Sequence, residues 1–289
     1  MAEDVAVSEE TLTDGLTLLV NMGKVLLQNA KEEAADSLEN FVPHKITTLF
    51  GLITAGAKFY SSIEVKKKCE AEAVWQKSYH NAVVREKVQE LQQLEKEWDS
   101  FLESVDKDLQ TTDVQLSGGK MADSLSPETL FTDGRSGKSV TLNHVTELKA
   151  NQALLEARSV RVLVVSFGSV EGAQLWLEQT GCTFDILLDP QRKVYRSFGL
   201  GSSYAKVMKF GCLLQYSDYV VANIDFPDFP HRLLEDIYQL GGDFLLDSAG
   251  KVLLSHPSKS PLDRPTVEDV LQTVDSAGQS ANSAYKQKL

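Results

Sequence analysis

The chain has 289 residues, 42% hydrophobic and 24% charged, the ordinary balance of a protein that buries a core, and the length suits one large domain or two ordinary ones. A formal net charge of −12 removes the electrostatic basis for binding nucleic acid or anionic lipid, which depends on clustered Lys and Arg. Three cysteines, Cys69, Cys182 and Cys212, are too few and too scattered for a disulfide framework, and the opening Met-Ala-Glu-Asp carries no export pattern, so a cytoplasmic setting is expected.

Residues 1–112 read as helical. Ser8-Glu9-Glu10-Thr11 is a helix start signal, and Leu12, Leu16, Leu19, Met22, Val25, Leu26 and Ala30 then recur at three- and four-residue steps. Pro43 predicts a break, and a second helix is expected over Lys45–Lys67. Its apolar run, Ile46 to Tyr60, is interrupted by Thr47, Thr48, Thr54 and Lys58 and is too short to span a membrane. The run Lys66-Lys67-Lys68 reads as a solvated helix end.

The third helix has a heptad-like seam of Val84, Val88, Leu91, Trp98, Leu102, Val105 and Leu109, with Glu95 at the position where an apolar residue would complete it. Two readings stay open: a bundle whose stripes cover one another, or a coiled-coil surface that binds a protein partner. His44 and His80 stand alone, so no metal or cofactor is expected in this region.

Asp113 to Ser126, with Gly118-Gly119 and no apolar period, is a linker. Residues 127–275 then alternate strand and helix, and 276–289 form an expected flexible tail. Phe131 to Lys138 is turn chemistry and Ser139–Leu142 a short strand. His144–Arg158 is an amphipathic helix. Val160–Phe167 (VRVLVVSF) looks like a strand buried on both faces. Helix Val170–Gln179, strand Phe184–Leu188 and helix Arg192–Phe198 follow. A hairpin of Asp243–Asp247 and Lys251–Ser255 comes next, then a helix over Thr266–Val274 opened by Pro265. This order is an α/β sheet with helices on its faces.

Phe131-Thr132-Asp133 with Gly137-Lys138, Leu163 to Gly168, Phe184 to Pro190 followed by Val194 to Leu200, and Gly241 to Asp247 with Gly250 to Leu253 together resemble the peroxiredoxins of the thioredoxin-fold (AhpC/TSA-like) superfamily. Within it the peroxiredoxin-like 2 group is the most similar. The resemblance implies an α/β thioredoxin-like domain, a thiol or selenol oxidoreductase lineage, and thioredoxin or glutathione as reductant of an intact family protein. It also implies a central buried strand after the opening hairpin. A turn and a helix would follow, with Cys-x-x-Cys or a selenocysteine pair at the helix start. The helix amino terminus favours thiolate there, and the second thiol resolves the intermediate as a disulfide.

That piece is missing from the sequence. Leu142-Asn143 runs directly into His144-Val145-Thr146, and no Cys-x-x-Cys occurs anywhere. The expected result is a domain with an open apolar slot, unpaired backbone groups and low stability. The weak catalytic candidates that remain are Cys182, which precedes a strand, and Cys212, in a less regular stretch. Each reads first as a small, partly buried apolar residue, and Cys69 reads as a bystander. His144 is close to the expected redox turn without being a nucleophile, His231 and His256 have no evident partner, and Gly241-Gly242 is a backbone feature near the site.

Overall fold

The structure, a computed structural model, describes residues 7–110, 132–133, 147–223 and 237–286. Two compact units emerge: residues 1–112 with Tyr204–Phe226, and Asp113–Ser203 with Pro227–Leu289. The segment Tyr204–Phe226 therefore packs in the helical unit, although in sequence it interrupts the α/β stretch.

In the helical unit, α1 spans Glu9–Asp36; Ser8 caps it by accepting from the Thr11 N–H at 3.0 Å, and Glu9 and Glu10 lie in its positively polarised first turn. Ser37 ends α1 and begins α2, Leu38–His44. Pro43 sits inside the last turn of α2, so the path turns after the proline rather than before it. The expected helix over Lys45–Lys67 is instead a 3-10 turn, Ile46–Phe50, followed by α3, Gly51–Ser62. Glu64 in the left-handed region (φ 57) redirects the chain, and α4 covers Lys68–Lys77. Ile46, Leu49, Leu52, Phe59 and Tyr60 are all buried, so this apolar run builds core.

Helix α5 covers Ala82–Gln110, and its seam of Val84, Val88, Leu91, Leu94, Trp98, Leu102 and Val105 is buried against neighbours that include α1.

Two further helices, α9 (Tyr204–Val207) and α10 (Phe210–Val221), complete this unit. Carboxylates of α5 cap them: Asp106 accepts from the Tyr204 and Ala205 N–H groups at 2.8 and 3.2 Å, and Asp99 from the Phe210 N–H at 2.9 Å. Trp98 donates to the Met208 carbonyl at 2.9 Å, Tyr60 to that of Leu214 at 3.1 Å, and Ser217 to that of Ile53 at 2.9 Å. A side chain at Gly56 would run into Ser217 and lie 2.8 Å from Leu214, so glycine is what allows α3 and α10 to approach so closely.

The second unit contains β1 (Thr132–Asp133), α6 (Gln152–Glu156), β2 (Leu163–Ser166), α7 (Val170–Thr180), β3 (Asp185–Leu188), α8 (Lys193–Ser197), β4 (Gly242–Leu246), β5 (Val252–Pro257) and α11 (Val267–Lys286). These form two separate sheets. In one, β3 lies between antiparallel β1 and parallel β2; in the other, β4 and β5 form an antiparallel hairpin. Trp176, Cys182 and Ile186 make a buried cluster with Val164, Leu177 and Phe184 around them.

The expectation of a strand buried on both faces over Val160–Phe167 is corrected: β2 is shorter, and Leu163 is 43% exposed. The helix expected over His144–Arg158 is interrupted at Asn151, whose carbonyl then accepts at the start of α6. The predicted strand Ser139–Leu142, the Asn143–His144 junction, most of the opening hairpin and His231 lie outside the described residues. Helix α11 runs to Lys286, past the predicted end at Val274.

Candidate functional site

The junction between the two sheets of the second unit is where the described residues concentrate their chemistry. It begins at the carboxy end of β3. The buried Asp189 carboxylate accepts from the Lys193 N–H at 2.8 Å and the Val194 N–H at 2.7 Å, so Asp189-Pro190 starts α8 as well as ending a strand.

Helix α8 then reaches both sheets. Toward β2, the Tyr195 hydroxyl donates to the Val165 carbonyl at 3.0 Å. Because Ser166 pairs toward β3, where its carbonyl accepts from Asp189 N–H, alternation points the Val165 carbonyl to the opposite edge of β2. Burial pushes the Tyr195 phenol up to about 12, with nearby Asp189 acting in the same direction, so it stays a donor at neutral pH. Its ring meets Phe167 edge-on at 5.5 Å, and the Arg192 guanidinium lies 4.3 Å over the Phe167 ring. Toward β4, Phe198 stacks on Phe244 with centroids 4.0 Å apart.

The entry to β4 is Gly241-Gly242. A side chain on Gly242 would lie 2.7 Å from the His256 carbonyl, which explains that glycine. The Arg264 guanidinium lies beside Gly241 and pairs with Asp243 at 3.0 Å, while its Nε is buried without a partner among the described residues. His256 Nε2 lies 3.1 Å from Asp263. Burial acts to raise the Asp263 carboxyl, but the Lys259 N–H and His256 outweigh it and hold the group below its ordinary value. Sequence reading of His256 found no partner for it and passed over Arg264; the signal lay in Asp263-Arg264-Pro265, charged residues directly before a helix start.

The two cysteine candidates are each in a core. Cys182 lies in the Trp176–Ile186 cluster, and burial pushes its thiol up, with a backbone hydrogen bond at Phe184 and nearby Lys149 opposing. Cys212 is not in irregular chain but in the first turn of α10 in the helical unit. Burial, reinforced by Asp99, pushes its thiol up to about 11. Both are therefore thiols, not nucleophilic thiolates, at neutral pH. Cys69 is exposed in the first turn of α4, at the start of that helix and not at its end. All three thiols are free.

Among the described residues, no group of three or more His, Cys, Asp or Glu is arranged to hold a metal, and no helix is long and apolar enough to cross a membrane. The described residues of this junction include two guanidiniums, Arg192 and Arg264, and no cysteine.

No curated protein and no solved structure matches the chain. A family model described as AhpC/TSA antioxidant enzyme matches residues 147–260, under half of the chain, and this match supports a peroxiredoxin-like thioredoxin fold for the second unit.

Proposed function

We propose that this chain is a thiol or selenol oxidoreductase of the peroxiredoxin-like 2 group in a form that lacks its redox segment. The segment belongs between Asn143 and His144. The long helical preface followed by this domain resembles fish selenoprotein L, whose redox pair is selenocysteine, encoded by a codon normally read as stop. A splice form, or a gene reading that avoids such codons, loses that segment.

The observation that carries this reading lies at the edge of β2 away from β3. Among the described residues β2 pairs only with β3 and β4 only with β5, and the outward carbonyl of Val165 is met by a tyrosine side chain instead of a strand. One inserted strand would join the two sheets into the single sheet of a thioredoxin fold. The family match over residues 147–260 supports the peroxiredoxin-like lineage on which this reading builds. The intact protein would act on a peroxide or a protein disulfide in the cytoplasm, with thioredoxin or glutathione as reductant.

Sequencing the transcript through the codons for Thr141 to Val145 tests this. An insert encoding an apolar strand with paired Cys codons or in-frame stop codons is expected, and an uninterrupted transcript with no longer form overturns it. The 289-residue chain itself is expected to show no peroxide turnover with thioredoxin or glutathione. Steady turnover abolished by Cys182→Ser or Cys212→Ser would assign catalysis to those residues instead.

A second reading, a non-catalytic interaction protein working through the helical unit, is favoured by one observation: Leu18, Met22 and Val25 of α1 are exposed together.

A further inference from the structure

Helix α1 buries one face through Leu12, Leu16, Leu19 and Leu27 and leaves an apolar stripe on another. Leu18, Met22 and Val25, at steps of four and three, are 57%, 44% and 56% exposed. Steps of four from Met22 and Val25 lead to Leu26 and Asn29, which line an open cavity of about 450 Å³. Its rim is acidic, formed by Glu32, Glu33 and Asp36, and its one cation, Lys45, is paired with Glu33 at 3.1 Å.

The charges along α1 set what can cover this stripe. Lys24 and Lys31 turn toward α5, reaching Glu90 at 2.8 Å and Glu97 at 4.0 Å. Glu10 and Asp14 before the stripe, and Glu32 and Asp36 after it, are exposed and have no cationic partner among the described residues. The stripe is thus apolar in the middle and acidic at both ends. A second copy would set acid against acid in either a parallel or an antiparallel pairing of α1. An anionic lipid surface meets the same repulsion.

We propose that this face docks a basic amphipathic helix of a partner protein. Its apolar side chains would cover Leu18, Met22 and Val25, and Lys or Arg at its two ends would meet Asp14 and the Glu32–Asp36 rim. The proposal rests on the interaction reading of the helical unit and is independent of the redox reading.

The test uses the full chain and a fluorescein-labelled Leu/Lys amphipathic peptide of about 18 residues, long enough for a continuous apolar face. Fluorescence anisotropy is expected to show saturable one-to-one binding. That binding should be at least about tenfold weaker for the Leu18→Ser/Met22→Ser/Val25→Ser variant, and weakened also for Glu32→Gln/Asp36→Gln. All five positions are exposed or lie on the rim, and circular dichroism should show the wild-type helix content in both variants. Equal binding of the peptide to the triple-serine variant overturns the proposal, because bare charge then suffices. Self-association, binding of a control peptide with Glu in place of every Lys, or binding of phosphatidylcholine vesicles, if lost in the triple variant, also overturns it while keeping the stripe as an interaction surface. Failure of every probe ends both the proposal and the interaction reading.

Discussion

Glu95 shows how one residue carries more than its helix pattern states. It occupies the seam position of α5 where an apolar residue would complete the heptad, and in the structure its carboxylate faces Gly211 in the first turn of α10. Burial pushes its pKa up first; Lys68 and Lys209 pull it down, and Asp99 and Glu72 push it up again. An acid raised in the folded state binds more protons folded than unfolded, so its contribution is fully present below the ordinary carboxylate pKa and is lost as pH rises through the raised value. Glu95→Gln removes that loss. The variant is expected to unfold at a higher temperature than wild type at pH 7 and at the same temperature near pH 4, which thermal melts at the two pH values would measure. A lower midpoint at pH 7 would mean that the charged form is favourable, through a bond that burial does not offset.

At the scale of elements, glycine positions give opposite predictions on two helices. Gly56 in α3 lies under Ser217 and Leu214 of α10, so Gly56→Ala must push the pair apart and is expected to destabilise by about 1–3 kcal/mol. Gly278 in α11 has nothing within 4 Å of where a side chain would begin, so Gly278→Ala should gain about 0.5–1 kcal/mol. Urea unfolding of both variants measures the contrast, and equal signs would contradict it. The elements legible in the sequence were those with strong periodicity and clear punctuation. Among them are α1 with its Ser8 cap, α5, α7 ending in left-handed Gly181, and the β4–β5 hairpin. Helix α10 was not legible, because Phe210-Gly211-Cys212 puts a helix-weakening glycine in its first turn and its start is fixed from outside, by Asp99. The candidate site was only half legible. Gly241-Gly242 stands out in the sequence, whereas the Tyr195–Val165, Phe198–Phe244 and Arg264–Asp243 contacts join residues made neighbours only by chain folding.

At the scale of the whole molecule, the interleaving of the chain matters most. The helical unit takes Tyr204–Phe226 from far along the sequence and holds it by bonds separated by 98 to 164 positions, from Asp106 to Tyr204 at one end of that range and from Ser217 to Ile53 at the other. The core positions it fills are among the most buried: Phe210 is 1% exposed, Leu213 0% and Leu214 3%, beside Trp98 and Tyr60. Removing α10 would strip these apolar contacts from α3 and α5. It would also leave Asp99, whose pKa burial already raises against the Phe210 N–H and Lys209, without its backbone donor. A polypeptide of residues 1–112 is therefore expected to be loosely folded alone, with a broad thermal transition, and to recover a cooperative one when a peptide covering residues 204–226 is added in excess. Anything that binds the folded form alone raises its midpoint, and a shift of more than about 5 °C is expected, growing with peptide concentration. The same peptide carrying Phe210→Ala and Leu213→Ala should give little shift. A sharp transition of 1–112 without the peptide would show that α10 only decorates a bundle that is already complete.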